Sequence, residues 1–98
     1  MEPRGPFFVY IMASGPRGTL YIGVTNALGR RVWEHQTGQG SEFVRRYGVT
    51  RLVYSEAFER IDEAIAQEKR FKRWRRAWKI ALIESGNPEW DDLTSRIG

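Results

Sequence analysis

The sequence predicts an α+β domain: a small three-stranded antiparallel sheet flanked by helices, in the order strand, strand, helix, strand, helix, helix. Three observations carry this. Two short apolar runs, Phe7 to Ala13 and Thr19 to Thr25, flank Ser14-Gly15-Pro16-Arg17-Gly18, the chemistry of a hairpin turn. A third run, Val49 to Phe58, has the length and composition of a strand. From Ile61 onward, apolar residues recur at intervals of three and four, the period of an amphipathic helix.

Each element follows from local signals. After the hairpin, Asn26 is placed to cap a helix running to about Thr37, and Gly38 to end it. Gly38 to Gly48 carries three glycines and reads as a surface loop. The helix from Ile61 runs to about Trp74, and a further helix covers Ala77 to Ser85, closed by Gly86. Asn87-Pro88 opens an irregular tail. There is no internal repeat, and 98 residues make one domain, 1–98.

Composition sets limits on function. The absence of Cys excludes disulfides, thiolate zinc sites and a cysteine nucleophile. No apolar run reaches the length of a membrane span. Met1-Glu2-Pro3-Arg4-Gly5-Pro6 lacks the apolar stretch of a signal peptide, so a cytoplasmic location is expected. The net charge of +4 and pI near 9.9 favour a polyanionic partner such as nucleic acid.

Four features do not fit a bland fold. Ile61, Ala64, Ile65 and Phe71 form the apolar face of the long helix, and Glu68 falls on that face. A carboxylate there needs a cation, a metal or several donors, because an unpaired buried charge is costly; a salt bridge to an Arg or Lys of another element is the alternative. In the helix after the hairpin, Leu28 and Val32 set the apolar stripe. Arg31 and His35, four apart, lie at or beside it. His35 is the single histidine of the chain, and a structural role is the common one for such a residue. Tyr10 and Tyr21 are symmetric about Gly15–Pro16, so simple register puts them opposite one another on one face. Gly23 shares that face and suggests close approach by a ligand or another backbone. Lastly, seven of the eleven residues from Lys69 to Lys79 are basic, Lys69, Lys72 and Arg73 among them, with Phe71, Trp74 and Trp78 interleaved. Such a stripe suits phosphate contact; the alternative is a solvated helix face.

Taken together these residues resemble the GIY-YIG endonuclease superfamily, in its small stand-alone members. Phe8-Val9-Tyr10, ten residues, then Tyr21-Ile22-Gly23 resembles the two halves of the signature, with Phe8 in place of the first glycine. Gly29 to His35 resembles the helix that carries the Arg and His. Ala64 to Lys72 resembles the helix with the metal-binding Glu. Asn87-Pro88-Glu89-Trp90 and Asp91-Asp92-Leu93 resemble the tail.

The resemblance implies phosphodiester hydrolysis with a divalent cation, Mg²⁺ or Mn²⁺, held by Glu68 as a hard oxygen ligand. One carboxylate implies one metal. Arg31 would stabilise charge on the phosphate. Tyr21 would orient or deprotonate the attacking water, His35 would accept that proton or hold the tyrosine, and Tyr10 would position water or phosphate. Tyr10, Tyr21, Arg31, His35 and Glu68 are thus the expected catalytic set, with Tyr21 and His35 both open as the base. Expected nucleic-acid contacts are Gly23, the loop residues Ser41, Arg45 and Arg46, the stripe residues Lys69, Lys72 and Arg73, and Asn87 of the tail. DNA is favoured over RNA by the resemblance, and repair or recombination is the expected setting. Two alternatives stay open: a non-catalytic nucleic-acid-binding module, and an interaction subunit of a larger repair complex. A protein partner supplying specificity is compatible with either the enzyme or the subunit.

Overall fold

In the computed structural model the hairpin forms, with its centre shifted by one residue. Residues 5–97 are described; Met1–Arg4, part of the stretch read as lacking a signal peptide, and Gly98 lie outside them. Strand β1 spans Phe7–Ala13 and β2 spans Leu20–Thr25. Gly18 N–H donates to Gly15 O, Pro16 takes the second turn position, and Arg17 follows at φ 53°. That is the pattern of a type II turn, which needs a left-handed third residue. The centre therefore lies between Pro16 and Arg17. Tyr10 pairs with Gly23, and Tyr21 with Met12. The expectation that the two tyrosines are directly opposite is corrected: they share a face as diagonal neighbours, because residues two apart along a strand point the same way.

Strand β3, Arg51–Phe58, pairs antiparallel with the other side of β1, so the sheet order is β2-β1-β3. It starts two residues later than expected, because Val49 N–H bonds Val44 O of the preceding segment. β1 is central and buried at six of its seven positions. Its alternation feeds two cores, as the pleat requires. Val9, Ile11 and Ala13 pack with Ile22, Val53, Ala64, Phe71, Ile83 and Trp90. Tyr10 and Met12 face the other way, with Leu28, Val32, Val44, Val49 and Leu52.

Helix α1 covers Leu28–Gln36 on the Tyr10 side. Its N-cap is Ala27, with no side-chain cap, so the expected Asn26 cap is not made; Thr25 Oγ1 instead accepts from Ala27 N–H. Gly38, at φ 78°, follows the helix in the left-handed region that suits glycine. The expected glycine-rich loop contains a short helix, α2, Glu42–Tyr47. Ser41 caps it through Val44 N–H, and Gly48 at φ 62° ends it.

On the opposite side lie α3, Ile61–Arg73, and α4, Arg76–Gly86. Trp74 and Arg75 are extended (ψ 148° and 150°) and break the basic stripe into two helices. Beyond α4, Trp90 is buried and donates from Nε1 to Glu84 Oε2 at 2.7 Å. Glu84 also receives both Arg17 donors at 3.0 Å, which ties the hairpin turn to α4. Arg51 bonds Trp90 O, and Asp92 accepts from Leu52 N–H at 3.3 Å before a short 3-10 turn, Leu93–Arg96. The tail thus covers the start of the outer edge of β3, at Leu52 and Val53.

Candidate active site

A cavity of about 470 Å³ opens at the free edge of β2. Its walls come from both layers. Tyr10, Tyr21, Arg31 and Phe43 arrive from the α1–α2 side, and Glu68, Lys72 and Lys79 from the α3–α4 side. Leu20 to Val24 form the rim between them.

Glu68 stands on this wall, not in the core. Ala64 and Phe71 are buried, whereas Ile61 and Ile65 are exposed, so the buried stripe of α3 is narrower than the apolar pattern suggested. Ile61, Ile65 and Glu68 share the neighbouring face, which lies open. The Glu68 side chain is 20% exposed and lies 3.6 Å from Lys72 Nζ, four residues on.

Arg31 and His35 part company. His35 turns inward with Leu28 and Val32, while Arg31 is exposed, lies 3.5 Å from Glu34 and reaches the cavity. The His35 Nε2 is 3.2 Å from the Tyr10 hydroxyl, and both side chains are buried. Burial holds the Tyr10 phenol well above its ordinary range; neighbouring Tyr21 adds to this and Arg31 opposes it. Burial also lowers the His35 imidazole, with the Val49 backbone opposing and Arg31 lowering it further. A protonated phenol can donate to Nε2 of a neutral imidazole or accept from it, according to the tautomer; the Val49 backbone beside the ring fits a proton on Nδ1, with the Tyr10 hydroxyl as donor. The ring proton then sits on Nδ1, an atom with no partner at full hydrogen-bond geometry among the described residues. The ring of Tyr21 is 5.0 Å from His35 and 6.3 Å from Tyr10, so the three rings form one cluster.

Gly23 explains how Tyr10 fits. A Cβ at Gly23 would fall 2.6 Å from the Tyr10 hydroxyl oxygen and 2.7 Å from its ring carbon. The close approach expected at this glycine, by a ligand or another backbone, is made instead by a side chain, the Tyr10 ring across the hairpin.

The expected nucleic-acid contacts are spread over the surface. Lys72 lines the cavity, whereas Lys69 and Arg73 line a separate groove with Arg70 and Trp74. Arg45 and Arg46 are exposed in the last turn of α2, with Arg46 over the Tyr47 ring. Ser41 spends its oxygen on the α2 cap. Asn87 is buried and committed: its amide donates to Val53 O and Asp91 O, and its oxygen accepts from Asp91 N–H. It anchors the tail and does not line the cavity. Sequence reading missed Phe43, which is exposed at the cavity wall 6.2 Å from Tyr21. Its signal was the Ser41 cap, which announces a helix that presents it.

Cation binding can be tested against these residues. Among the described residues, no group of three or more His, Asp or Glu side chains could enclose an ion. Glu68 is a single hard oxygen donor on an open cavity wall. That donor set fits a hydrated Mg²⁺ or Mn²⁺, which keeps several waters and takes one or two carboxylates.

The fold and this cluster define a GIY-YIG domain. The GIY-YIG catalytic domain family matches residues 6–81, and the chain belongs to that family, which is one of endonucleases. Similar proteins bear the name UPF0213. One from Bacillus pumilus is 37% identical over 86% of this chain and 84% of its own length. Another from Clostridium perfringens is 38% identical over 92% of this chain and 96% of its own. The solution NMR structure of a UPF0213 protein from Bacillus halodurans superposes with a TM-score of 0.55 at 30% identity, covering 91% of this chain and 94% of that one.

Proposed function

We propose that the protein is a divalent-metal-dependent endonuclease that hydrolyses phosphodiester bonds in nucleic acid, with DNA preferred, acting in the cytoplasm in repair or recombination. The observation that carries this reading is convergence: Tyr10, Tyr21, Arg31 and Glu68, drawn from four elements, line one cavity, and His35 bonds Tyr10 behind it. Structural packing alone gives no reason for an arginine, a carboxylate and two phenols to meet at an open edge.

Each residue has a task in this account. Glu68 would hold the cation, which when bound supplies neutralising charge to the phosphate and the leaving oxygen. Arg31 offers paired donors to the charge that grows on the phosphate. Tyr21, in the cavity wall, orients the attacking water; acting as phenolate beside the Arg31 guanidinium and the bound cation, it would take the water's proton and become the phenol. His35 acts through Tyr10: it accepts a hydrogen bond from the Tyr10 hydroxyl, which turns the phenol oxygen's lone pairs toward the site. His35 is therefore a positioning residue, and Tyr21 the base. Lys72 and Lys79 add positive charge to the same cavity. Arg45, Arg46, Lys69 and Arg73 steer the flanking backbone. The test is metal-dependent cleavage of labelled DNA and RNA panels; binding without cleavage in Mg²⁺ and Mn²⁺ favours the binding-module alternative.

A further inference from the structure

The edge of β2 carries backbone groups that no described residue uses. Ser14 N–H donates to Thr19 O at 3.0 Å, so these two residues are a hydrogen-bonded pair across the hairpin. Bonded and non-bonded pairs alternate along an antiparallel ladder. In the observed register, Met12–Tyr21, Tyr10–Gly23 and Phe8–Thr25 are then the bonded pairs. Leu20, Ile22 and Val24 turn their N–H and C=O groups away from β1. β2 is an edge strand, and among the described residues none of these groups finds a partner.

The outer edge of β3 is met by the tail at its start: Asp92 takes Leu52 N–H and Asn87 donates to Val53 O. The edge of β2 opens into the cavity instead. All five residues from Leu20 to Val24 line it. Consecutive strand residues alternate faces, so a cavity that touches all five runs along the strand's edge and not over one face. Three cations, Arg31, Lys72 and Lys79, line the same space against one carboxylate, Glu68. An occupant that spans from Arg31 on one layer to Glu68 on the other must cross this rim, and the charge selects an anion.

We propose that the free edge of β2 is a phosphate-binding rim: the N–H groups of Ile22 and Val24 donate to non-bridging phosphate oxygens of the nucleic acid in the cleft. This rests on the nuclease reading above. The donors are fixed by the sheet and need no ordering on binding, unlike the long side chains around them. The outward carbonyls repel phosphate, and Lys72 and Lys79 offset them. The side chain of Ile22 is buried, which fixes the direction of its amide.

The experiment replaces the N–H of Ile22, and separately of Val24, by an ester oxygen, using α-hydroxy acids with the native side chains. Binding of a fluorescent oligodeoxynucleotide is measured without divalent cation. Each replacement is expected to weaken binding about tenfold or more, as loss of a bond to a charged acceptor does. In the unmodified protein, amide hydrogen exchange at Ile22 and Val24 should be fast alone and slow at least about tenfold with oligonucleotide bound. If the wild type binds and cuts but exchange at both amides is unaffected, or natively folded esters bind equally well, the rim is wrong and the nuclease stands. If the wild type neither binds nor cuts any nucleic acid, the nuclease reading fails and the rim with it.

Discussion

The Tyr10 hydroxyl lies 3.2 Å from His35 Nε2, joining the central strand to the buried side of α1 directly behind the cavity. Removing the hydroxyl in Tyr10→Phe leaves a buried imidazole nitrogen without its donor. The expected cost is about 1–3 kcal/mol of stability, read from urea or thermal unfolding. Cleavage should fall while oligonucleotide affinity holds, because the fold and the cationic surface persist.

Stability should also depend on pH through His35. Its folded pKa is lowered by burial, so in the window below the ordinary value of about 6.5 the unfolded chain binds the proton more readily than the folded one. The contribution is fully present above about pH 6.5 and is lost as pH falls toward the folded value. Tyr10 acts at the other end. Its raised pKa means that above about pH 10 the unfolded phenol ionises first and stability declines again. Urea midpoints between pH 5 and 8 should fall on the acid side, and a His35→Gln variant should flatten that slope.

Gly23→Ala is expected to destabilise by about 1–3 kcal/mol, since a methyl must displace the buried Tyr10 ring. Cleavage should fall further than stability alone explains, because Tyr10 cannot keep its place over the strand. An Ala with full stability and activity would show that the ring has room to move.

Much of this arrangement was legible in the sequence. The six main elements follow from apolar period and turn residues. What escaped did so for local reasons. Helix α2 is six residues long, and Gly38, Gly40 and Gly48 around it read as loop, although Ser41 and Gly48 turn out to be its caps. The tyrosines depart from simple register because Arg17, not Gly15, takes part in the turn centre, and a left-handed arginine has no strong sequence signature. The wheel puts Glu68 on the apolar face of α3, and periodicity cannot tell a core face from the cavity wall beside it, where Glu68 stands. Asn87 offered no sign that its amide would be consumed by Val53 and Asp91.

Trp90 holds the tail against the sheet from a left-handed backbone position (φ 58°) while its indole N–H bonds Glu84. Trp90→Ala should cost about 3–5 kcal/mol, read as a lowered urea midpoint. A cost below about 1 kcal/mol would mean the tail is not integral to the fold.

Arg45 and Arg46 project from α2 beside Phe43. Reversing both to Glu should weaken oligonucleotide binding and reduce the slope of log affinity against log salt by about 2. An unchanged slope would remove α2 from the substrate path.

Glu68, on the open cavity wall, is expected to serve the chemistry and not the fold. Wild type and Glu68→Ala should be compared on labelled single strands, duplexes, flaps and branched junctions, with Mg²⁺, Mn²⁺ or chelator. Wild type is expected to cut, with cutting lost in chelator and lost in a Glu68→Ala protein that remains folded. Undiminished cutting by Glu68→Ala would contradict that role.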